Sequence, residues 1–317
     1  MAPTEIIPTP WDGHKITKPG LYSNIPLVQY HGDITDGPSA SSTTLRKIFN
    51  ESAAEYWDES YLNPKREDKE DSEKKAFVMG RAVHHLILGE SGFAQAFVER
   101  PETYRNEKGE VKPWSGNANV CKKWLRDTQA TGRSVLKTDE IEDIRGMAIS
   151  IGKNPLVKQG VLNGLVEQSL FWKDKKTGIW LKARPDVIPT SSGEVTDLKT
   201  TTSVQRDDLV RTIGDLGYHQ QAALIGEGLF VVLGIQMTTF TLLFVKKTRP
   251  YSCREVFLKD GAIVDGAACN TFALGVMADC LKTGNWPGPG EETGGEFMDI
   301  SDYRRKQIEL RLAGMSL

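Results

Sequence analysis

Three runs with strand character follow one another between residues 165 and 200, joined by turns, and this succession constrains the fold more than any other stretch. Leu165–Trp172 alternates apolar and polar residues. Ile179–Ile188 follows a turn at Lys175–Gly178, and Glu194–Thr200 follows a second turn at Pro189–Gly193. Helical periods bracket them. From residue 76 onward, Phe77, Gly80, His84, Ile87 and Leu88 recur at three- and four-residue steps. Further helices are expected over residues 118–128, 138–153, 207–233 (with a break near Gly214–Gly217) and 261–282, with strands at 238–246 and 254–258. Helix, three strands, helix and strand in that order predict an α/β (α+β) fold, a central mixed β-sheet flanked by helices.

The ends differ in character. Residues 1–38 are rich in Pro, Gly and Asp without a sustained period and read as an irregular arm. Ser39 to Thr44 is a run of helix-capping residues ahead of an amphipathic segment with Leu45, Ile48 and Phe49 on one face. The charge run 63–75 reads as a solvated loop or helix start. A Gly/Pro-rich loop, 284–295, and a charged segment, 303–312, close the chain. The expected organisation is an arm (1–38), one domain (39–283) and a C-terminal extension (284–317) suited to subunit contacts. The most apolar stretch, Ala222 to Val245, is broken by Gly226, Glu227, Gly228, Gly234 and Gln236, and reads as a buried helix and strand rather than a membrane span. The N-terminus lacks a basic-then-apolar signal, so a cytoplasmic location without membrane association is expected. A net charge of −2 over 317 residues does not advertise a nucleic-acid partner, although a narrow basic channel can sit on an acidic body.

The chemistry concentrates in IWLKARPDVIPTSSGEVTDLKTTT, residues 179–202. Symmetric pairing about Ser191–Ser192 would set Asp186 directly opposite Asp197. Facing residues have Cβ atoms about 4.5–5.5 Å apart, where like charges repel. Two such carboxylates near an apolar core need a cation or a shared proton. A hard divalent ion with oxygen ligands is one resolution, and Mg²⁺ suits one or two carboxylates plus water. Lys199 shares the face of Asp197, and a lysine there can orient water and offset charge on phosphorus. A slip of one residue would put the two aspartates on opposite faces. D-x-K alone recurs by chance, and an exposed hairpin with scattered charges is the bland alternative.

P-D, a spacer and then D-L-K resembles the signature of the PD-(D/E)XK nuclease superfamily. The surroundings resemble RecE-type exonucleases (exodeoxyribonuclease VIII) and prophage alkaline exonucleases of the lambda-exonuclease kind. GRAVHHLIL at 80–88, VEQSLFW at 166–172, ARPDVI with VTDLKTT, and YHQQAA at 218–223 carry the likeness over residues 39–245. The resemblance implies a restriction-endonuclease-like core. It implies His84 as a metal ligand, where a lone histidine on an apolar helix face is otherwise a satisfied core residue. His85 is read as structural, and Gly80 as leaving room beside His84. Glu167 would lie near the metal or its waters, the alternative being a surface glutamate. Asp186 and Asp197 would be metal carboxylates, the Leu198 backbone carbonyl a further ligand, and Lys199 the catalytic lysine. Tyr218 and Gln221 match Y-x-x-Q, share a helix face and would meet the phosphate backbone, with Gln220 the competing glutamine. Ser39, Ser41 and Arg46 would form a DNA 5′-phosphate pocket at a helix start, although simple capping also explains the serines.

The implied activity is a Mg²⁺-dependent exodeoxyribonuclease, with two ions per site and Mn²⁺ able to substitute. It would digest one strand of linear double-stranded DNA 5′ to 3′ into mononucleotides, leaving 3′ overhangs for recombination. The implied assembly is a ring around DNA, a trimer in preference to a tetramer, working with a single-strand annealing protein. The competing readings are a structure- or site-specific endonuclease on the same core, a non-catalytic DNA-binding phage protein, and a small-substrate metallohydrolase. Zinc chemistry is disfavoured by the lack of H-E-x-x-H. Some relatives carry a four-cysteine iron–sulfur cluster. The wide spacing of Cys121, Cys253, Cys269 and Cys280 instead suggests free thiols. Trp114 and the 105–112 segment are candidates for splitting the duplex.

Overall fold

The computed structural model describes residues 6–67, 75–89, 92–190, 192–290 and 297–314. Most of the charge run at 63–75 and the hairpin centre Ser191 lie outside the described residues. In chain order, β1 (Thr9–Pro10), β2 (Gly20–Ser23) and α1 (Leu27–His31) lead into β3 (Ser39–Ser41), α2 (Ser42–Asn50) and α3 (Ala53–Glu59). Next come α4 (Lys75–Ile87), α5 (Phe93–Ala96), β4 (Phe97–Glu99), β5 (Thr103–Arg105), β6 (Val111–Pro113), α6 (Asn119–Gln129), β7 (Ser134–Leu136), α7 (Thr138–Gly152) and α8 (Pro155–Lys158). The strand-rich region comprises β8 (Leu165–Val166), β9 (Ser169–Lys173), β10 (Trp180–Ala183), β11 (Val187–Ile188) and β12 (Glu194–Thr201). The chain finishes with α9 (Arg206–Asp215), α10 (Tyr218–Leu233), β13 (Thr239–Lys246), β14 (Cys253–Phe257), α11 (Asp260–Thr283) and α12 (Asp302–Leu312).

The mixed α/β architecture is as expected, with the sheet in two main pieces. One has the order β1-β2-β9-β10-β3, and the other β12-β13-β14. The parallel pairing of β12 and β13, Asp197 beside Leu242 and Lys199 beside Phe244, is made possible by the α9–α10 crossover. Both faces of this pair are covered. Val195, Leu242 and Phe244 join Ala222, Leu224 and Leu229 of α10 in one core. Leu198, Leu243 and Val245 join Met79 and Val83 of α4 and Ile144 and Met147 of α7 in another. Burial on both faces is why β13 is apolar from Leu242 to Val245 without alternation. At the join of α9 and α10, Gly217 takes φ +62°, a left-handed turn that a side chain would strain. α11 is long and apolar enough by composition to cross a membrane. It packs one stripe, Gly266, Asn270, Ala273, Leu274, Met277 and Cys280, into the protein.

Several expectations are corrected. Asp186 and Asp197 are not cross-strand partners, because the hairpin expected between them has no ladder. β11 pairs with β8 instead, and β12 pairs with β13. Pro185, which has no N–H, sits at the bend where the chain leaves β10. The strand expected at Leu165–Trp172 is two strands, interrupted at Glu167, whose φ is +52°. The N-terminal arm is not irregular throughout: Leu21 of β2 pairs with Leu170 of β9. Ile16, Ile25, Tyr30 and Ile34 cover the other face of that sheet over Phe171 and Trp180. The C-terminal extension begins docked, Trp286 stacking on Trp57 with ring centroids 4.6 Å apart. Its helix α12 buries no residue.

Candidate active site

The site forms along one edge of β12. That strand is hydrogen-bonded to β13 on one side only, so Leu198 presents an unpaired N–H and C=O on the other. Buried backbone groups of this kind require partners, and two side chains supply them. Asp186 Oδ2 accepts from the Leu198 N–H at 2.6 Å, and His84 Nε2 donates to the Leu198 carbonyl at 2.9 Å. His84 Nδ1 lies 3.4 Å from Asp186 Oδ1, so imidazole and carboxylate close a ring over the Leu198 peptide. α4 delivers His84, with Val83 and Met79 anchoring its inner face. A Cβ added at Gly80 would rest 3.5 Å from Thr200 Oγ1, so glycine is not sterically required there.

Glu167 completes a group of three. Ligand atoms of His84, Glu167 and Asp186 all lie within 4.8 Å of one another. The left-handed backbone at Glu167 is uncommon for a residue with a side chain and is held by its N–H donating to the Asp186 carbonyl at 3.0 Å. The break in the strand therefore locates the carboxylate.

Asp197 and Lys199 flank Leu198 and point to the opposite face, toward α10. Asp197 is 1% exposed. Its Oδ1 accepts from Gln221 Nε2 at 2.8 Å, and its Oδ2 meets the Lys199 ammonium. The Tyr218 ring lies 4.9 Å from Lys199 Nζ, a cation–π contact. Gln220, the competing glutamine, is turned into the core toward Asn270. His85 packs edge-on against Phe97 at 5.4 Å, away from the metal-type group.

Charge in this closed space is tightly coupled. Burial alone would push the His84 imidazole down, but the Asp186 carboxylate outweighs it and carries the group up to about 9. Burial pushes the Asp186 carboxyl up, and His84 reverses that to a net lowering. Burial and the Asp186 charge both raise the Asp197 carboxyl. Burial opposes the charge on Lys199, yet Asp197 and Asp186 raise its affinity for a proton, so it is an ammonium. The donor set suits a hard divalent cation: carboxylates from Asp186 and Glu167, an imidazole, and a carbonyl at Leu198. Asp197, whose Oδ2 is engaged by the Lys199 ammonium, is a further carboxylate one residue away. Cation uptake there would displace the His84 proton.

The expected phosphate residues are placed differently from one another. Ser39 is buried in β3 with its N–H and hydroxyl on the Tyr61 hydroxyl, at 2.9 and 3.1 Å. Ser41 caps α2 through the Thr44 N–H at 3.4 Å. Arg46 donates to the Leu216 carbonyl at 2.6 Å, close enough to feel the fields of Tyr218 and Asp197. Arg184, which precedes Pro185-Asp186, is turned toward the N-terminal arm. It donates to Ser169 Oγ at 2.8 Å and the Ile25 carbonyl at 2.9 Å, and lies 4.4 Å from the Tyr30 ring centroid.

No curated protein matches the chain. Among solved structures it is similar to a "Putative exonuclease" from Eubacterium rectale, at 13% identity and a TM-score of 0.57, over 89% of this chain and 98% of that one. At that identity the likeness is one of fold. It also overlaps a phage related exonuclease from Haemophilus somnus 129PT at 13% identity, 64% and 94% coverage and a TM-score of 0.27. The family model described as a PDDEXK-like domain of unknown function (DUF3799) matches residues 41–294. That span takes in β12 with its flanking Asp186, Asp197 and Lys199, and most of the chain: the protein belongs to this PDDEXK-like family of the PD-(D/E)XK nuclease superfamily.

Proposed function

We propose that the chain is a metal-dependent exodeoxyribonuclease, digesting one strand of linear duplex DNA from the 5′ end to mononucleotides and leaving 3′ overhangs. The observation that supports this is the meeting of His84 and Asp186 on the Leu198 peptide with Glu167 beside them, and Asp197 and Lys199 on either side of Leu198. Mg²⁺ is the ion proposed, two per site, with Mn²⁺ as a substitute. Bound there, a divalent cation supplies the Lewis acidity that makes water a nucleophile and steadies the leaving oxygen.

The residues of the chain do the rest. Lys199, held charged by Asp197 and backed by the Tyr218 ring, would orient the attacking water and offset charge growing on phosphorus. Gln221 fixes the Asp197 carboxylate, so that Lys199 has one position. Glu167 would hold water beside His84 and Asp186. Arg46 is the group proposed to receive a 5′-phosphate, with Ser39 and Ser41 joining if they exchange their present partners. A ring-shaped homotrimer around DNA and a single-strand annealing protein as partner extend the same reading, and α12 with its linker is suited to subunit contacts.

The test uses 5′-phosphorylated linear duplex with each strand end-labelled separately, incubated with Mg²⁺ or EDTA. The expected result is Mg²⁺-dependent release of the 5′ label as mononucleotide while the 3′ label stays on long strands. Closed circular duplex should be spared. No cleavage at any pH from neutral to alkaline would refute the proposal.

A further inference from the structure

Charge is distributed unevenly along the chain. Residues 97–137 carry nine Lys/Arg against five Asp/Glu, a net +4 in a chain whose total is −2, which leaves −6 elsewhere. These residues form one structural unit. β4 and β7 pair in parallel at its base, Phe97 beside Ser134 and Glu99 beside Leu136. The β5–β6 hairpin and α6 lie between them in sequence. Trp114 meets Trp124 edge to face, with centroids 5.4 Å apart, and the Arg100 guanidinium lies 5.5 Å from the Trp114 ring centroid. Hairpin and helix are thereby fastened together through aromatic and cation–π contacts.

The unit is mounted on the helix that carries His84. Phe97 and Leu136 share a core with Met79 and Val83 of α4. Arg81, one turn before His84, lies over the Phe97 ring and donates to Ser134 Oγ. Its outer cations are available. Lys108 at the hairpin turn and Lys122 and Arg126 on α6 are exposed, and no carboxylate among the described residues is within ion-pair reach of them. Lys122 and Arg126 stand four apart, on one face of the helix. Lys112 and Lys123, by contrast, are matched to Glu110 and Asp127.

We infer that the β5–β6 hairpin and α6 form a backbone clamp for DNA, holding phosphates of the duplex beside the metal-type site through Lys108, Lys122 and Arg126. Three uncompensated cations on a rigid mount next to the His84 helix complement a polyanion whose charge recurs about every 1.7 Å along its axis. Contacts to phosphates position a duplex without carrying sequence information, so the clamp is independent of sequence. The inference deepens the nuclease reading and rests on it for the identity of the polyanion.

The test is the triple variant Lys108→Gln/Lys122→Gln/Arg126→Gln of the full chain, compared with wild type and with a Lys175→Gln/Lys176→Gln/Arg206→Gln control elsewhere on the surface. Binding to a labelled blunt duplex is measured in EDTA across a salt series. Each lost phosphate contact flattens the log–log salt slope by about 0.9, so the triple variant should be shallower by about 2.7. Between about 50 and about 200 mM salt its affinity should fall about 40-fold less than that of wild type, with the control unchanged. An equal urea midpoint for variant and wild type establishes that the variant is folded. A slope identical to wild type overturns the clamp, whether or not wild type cleaves DNA with Mg²⁺. A flattened slope in a protein that never cleaves keeps the clamp and removes the nuclease reading alone.

Discussion

Gly266→Ala in α11 should destabilise the protein, although helix propensity alone predicts the reverse. Alanine is favoured over glycine in a helix interior by about 1 kcal/mol. At Gly266, however, a Cβ would stand 2.3 Å from the His219 carbonyl oxygen, 2.5 Å from its carbon and 2.9 Å from the Gln220 nitrogen. These are backbone atoms on the first turn of α10, so no side chain can swing aside. Ordinary contact would require α11 to retreat by about 1 Å, and a gap of that size forfeits about a quarter to a half of each dispersion contact across it. Ala273, Leu274 and Met277 of α11 are buried in the core that this retreat would loosen. Overpacking of this kind costs about 1–3 kcal/mol, more than the propensity gain over most of that range. Gly275 lies on the same helix with nothing within 4 Å of its virtual Cβ, so Gly275→Ala isolates the propensity effect. Urea unfolding of both variants should place Gly266→Ala below wild type and Gly275→Ala at or above it, separated by the overpacking cost of about 1–3 kcal/mol, since the propensity gain is common to both. Equal midpoints for the two would refute the packing argument. Because Gln221 follows Gln220 directly, the strained variant should also lose nuclease activity through the loosened Gln221–Asp197 contact, as the open-site control should not.

Three further outcomes are expected. Asp197→Asn and Lys199→Ala should each lower DNA cleavage by about a hundredfold or more while leaving duplex binding in EDTA intact, as assayed by product release and fluorescence anisotropy. Mg²⁺ at a hundred times its dissociation constant should stabilise wild type by about 2.7 kcal/mol, and Asp186→Asn should abolish the corresponding rise in melting temperature. Lys182 is 2% exposed, donates to the Tyr30 carbonyl at 2.7 Å, and is brought down to about 8 by burial, with Arg184 adding to the lowering. Between that value and an unfolded lysine near 10.4, the unfolded chain binds more protons, so stability rises with pH across this window. The penalty below the window is on the order of 3 kcal/mol. Lys182→Met, in denaturant titrations at paired pH values, should therefore gain most over wild type near pH 7, and the advantage should shrink toward pH 10.5. A constant difference between the two proteins would contradict the assignment.

Elements governed by local pattern were legible in the sequence. α7, α10, α11 and β13 appear where their periods and breaks put them, because a buried face leaves its spacing in the chain. The D-L-K run was legible for the same reason: period two on β12 sends Asp197 and Lys199 to one side. What the sequence left hidden is set by distant partners. The N-terminal arm has no period because its isoleucines, Ile16, Ile25 and Ile34, come one at a time from separate loops and meet only over Phe171 and Trp180. The facing-aspartate register failed because turn-based pairing ignores competing strands. β8 takes β11, and β13 takes β12 after a crossover. The left-handed backbone of Glu167 has no compositional mark, since glutamate is not a residue that announces positive φ.

The failed register and the assembled site have one cause. Had β12 paired with the preceding hairpin strand, the Leu198 N–H and carbonyl would have been spent in a ladder. Because that edge is left without a strand, the fold must satisfy both groups with side chains, and it does so with Asp186 and His84. The polar requirement of an unpaired strand edge thus brings a carboxylate and an imidazole to within 3.4 Å, and the break at Glu167 adds a second carboxylate. The Leu198 side chain belongs to the core with Met79 and Val83, while its peptide belongs to the site. A substitution there that keeps the core volume should therefore preserve both, whereas a proline, lacking the N–H that Asp186 accepts, would undo the site while α4 and β13 could still pack.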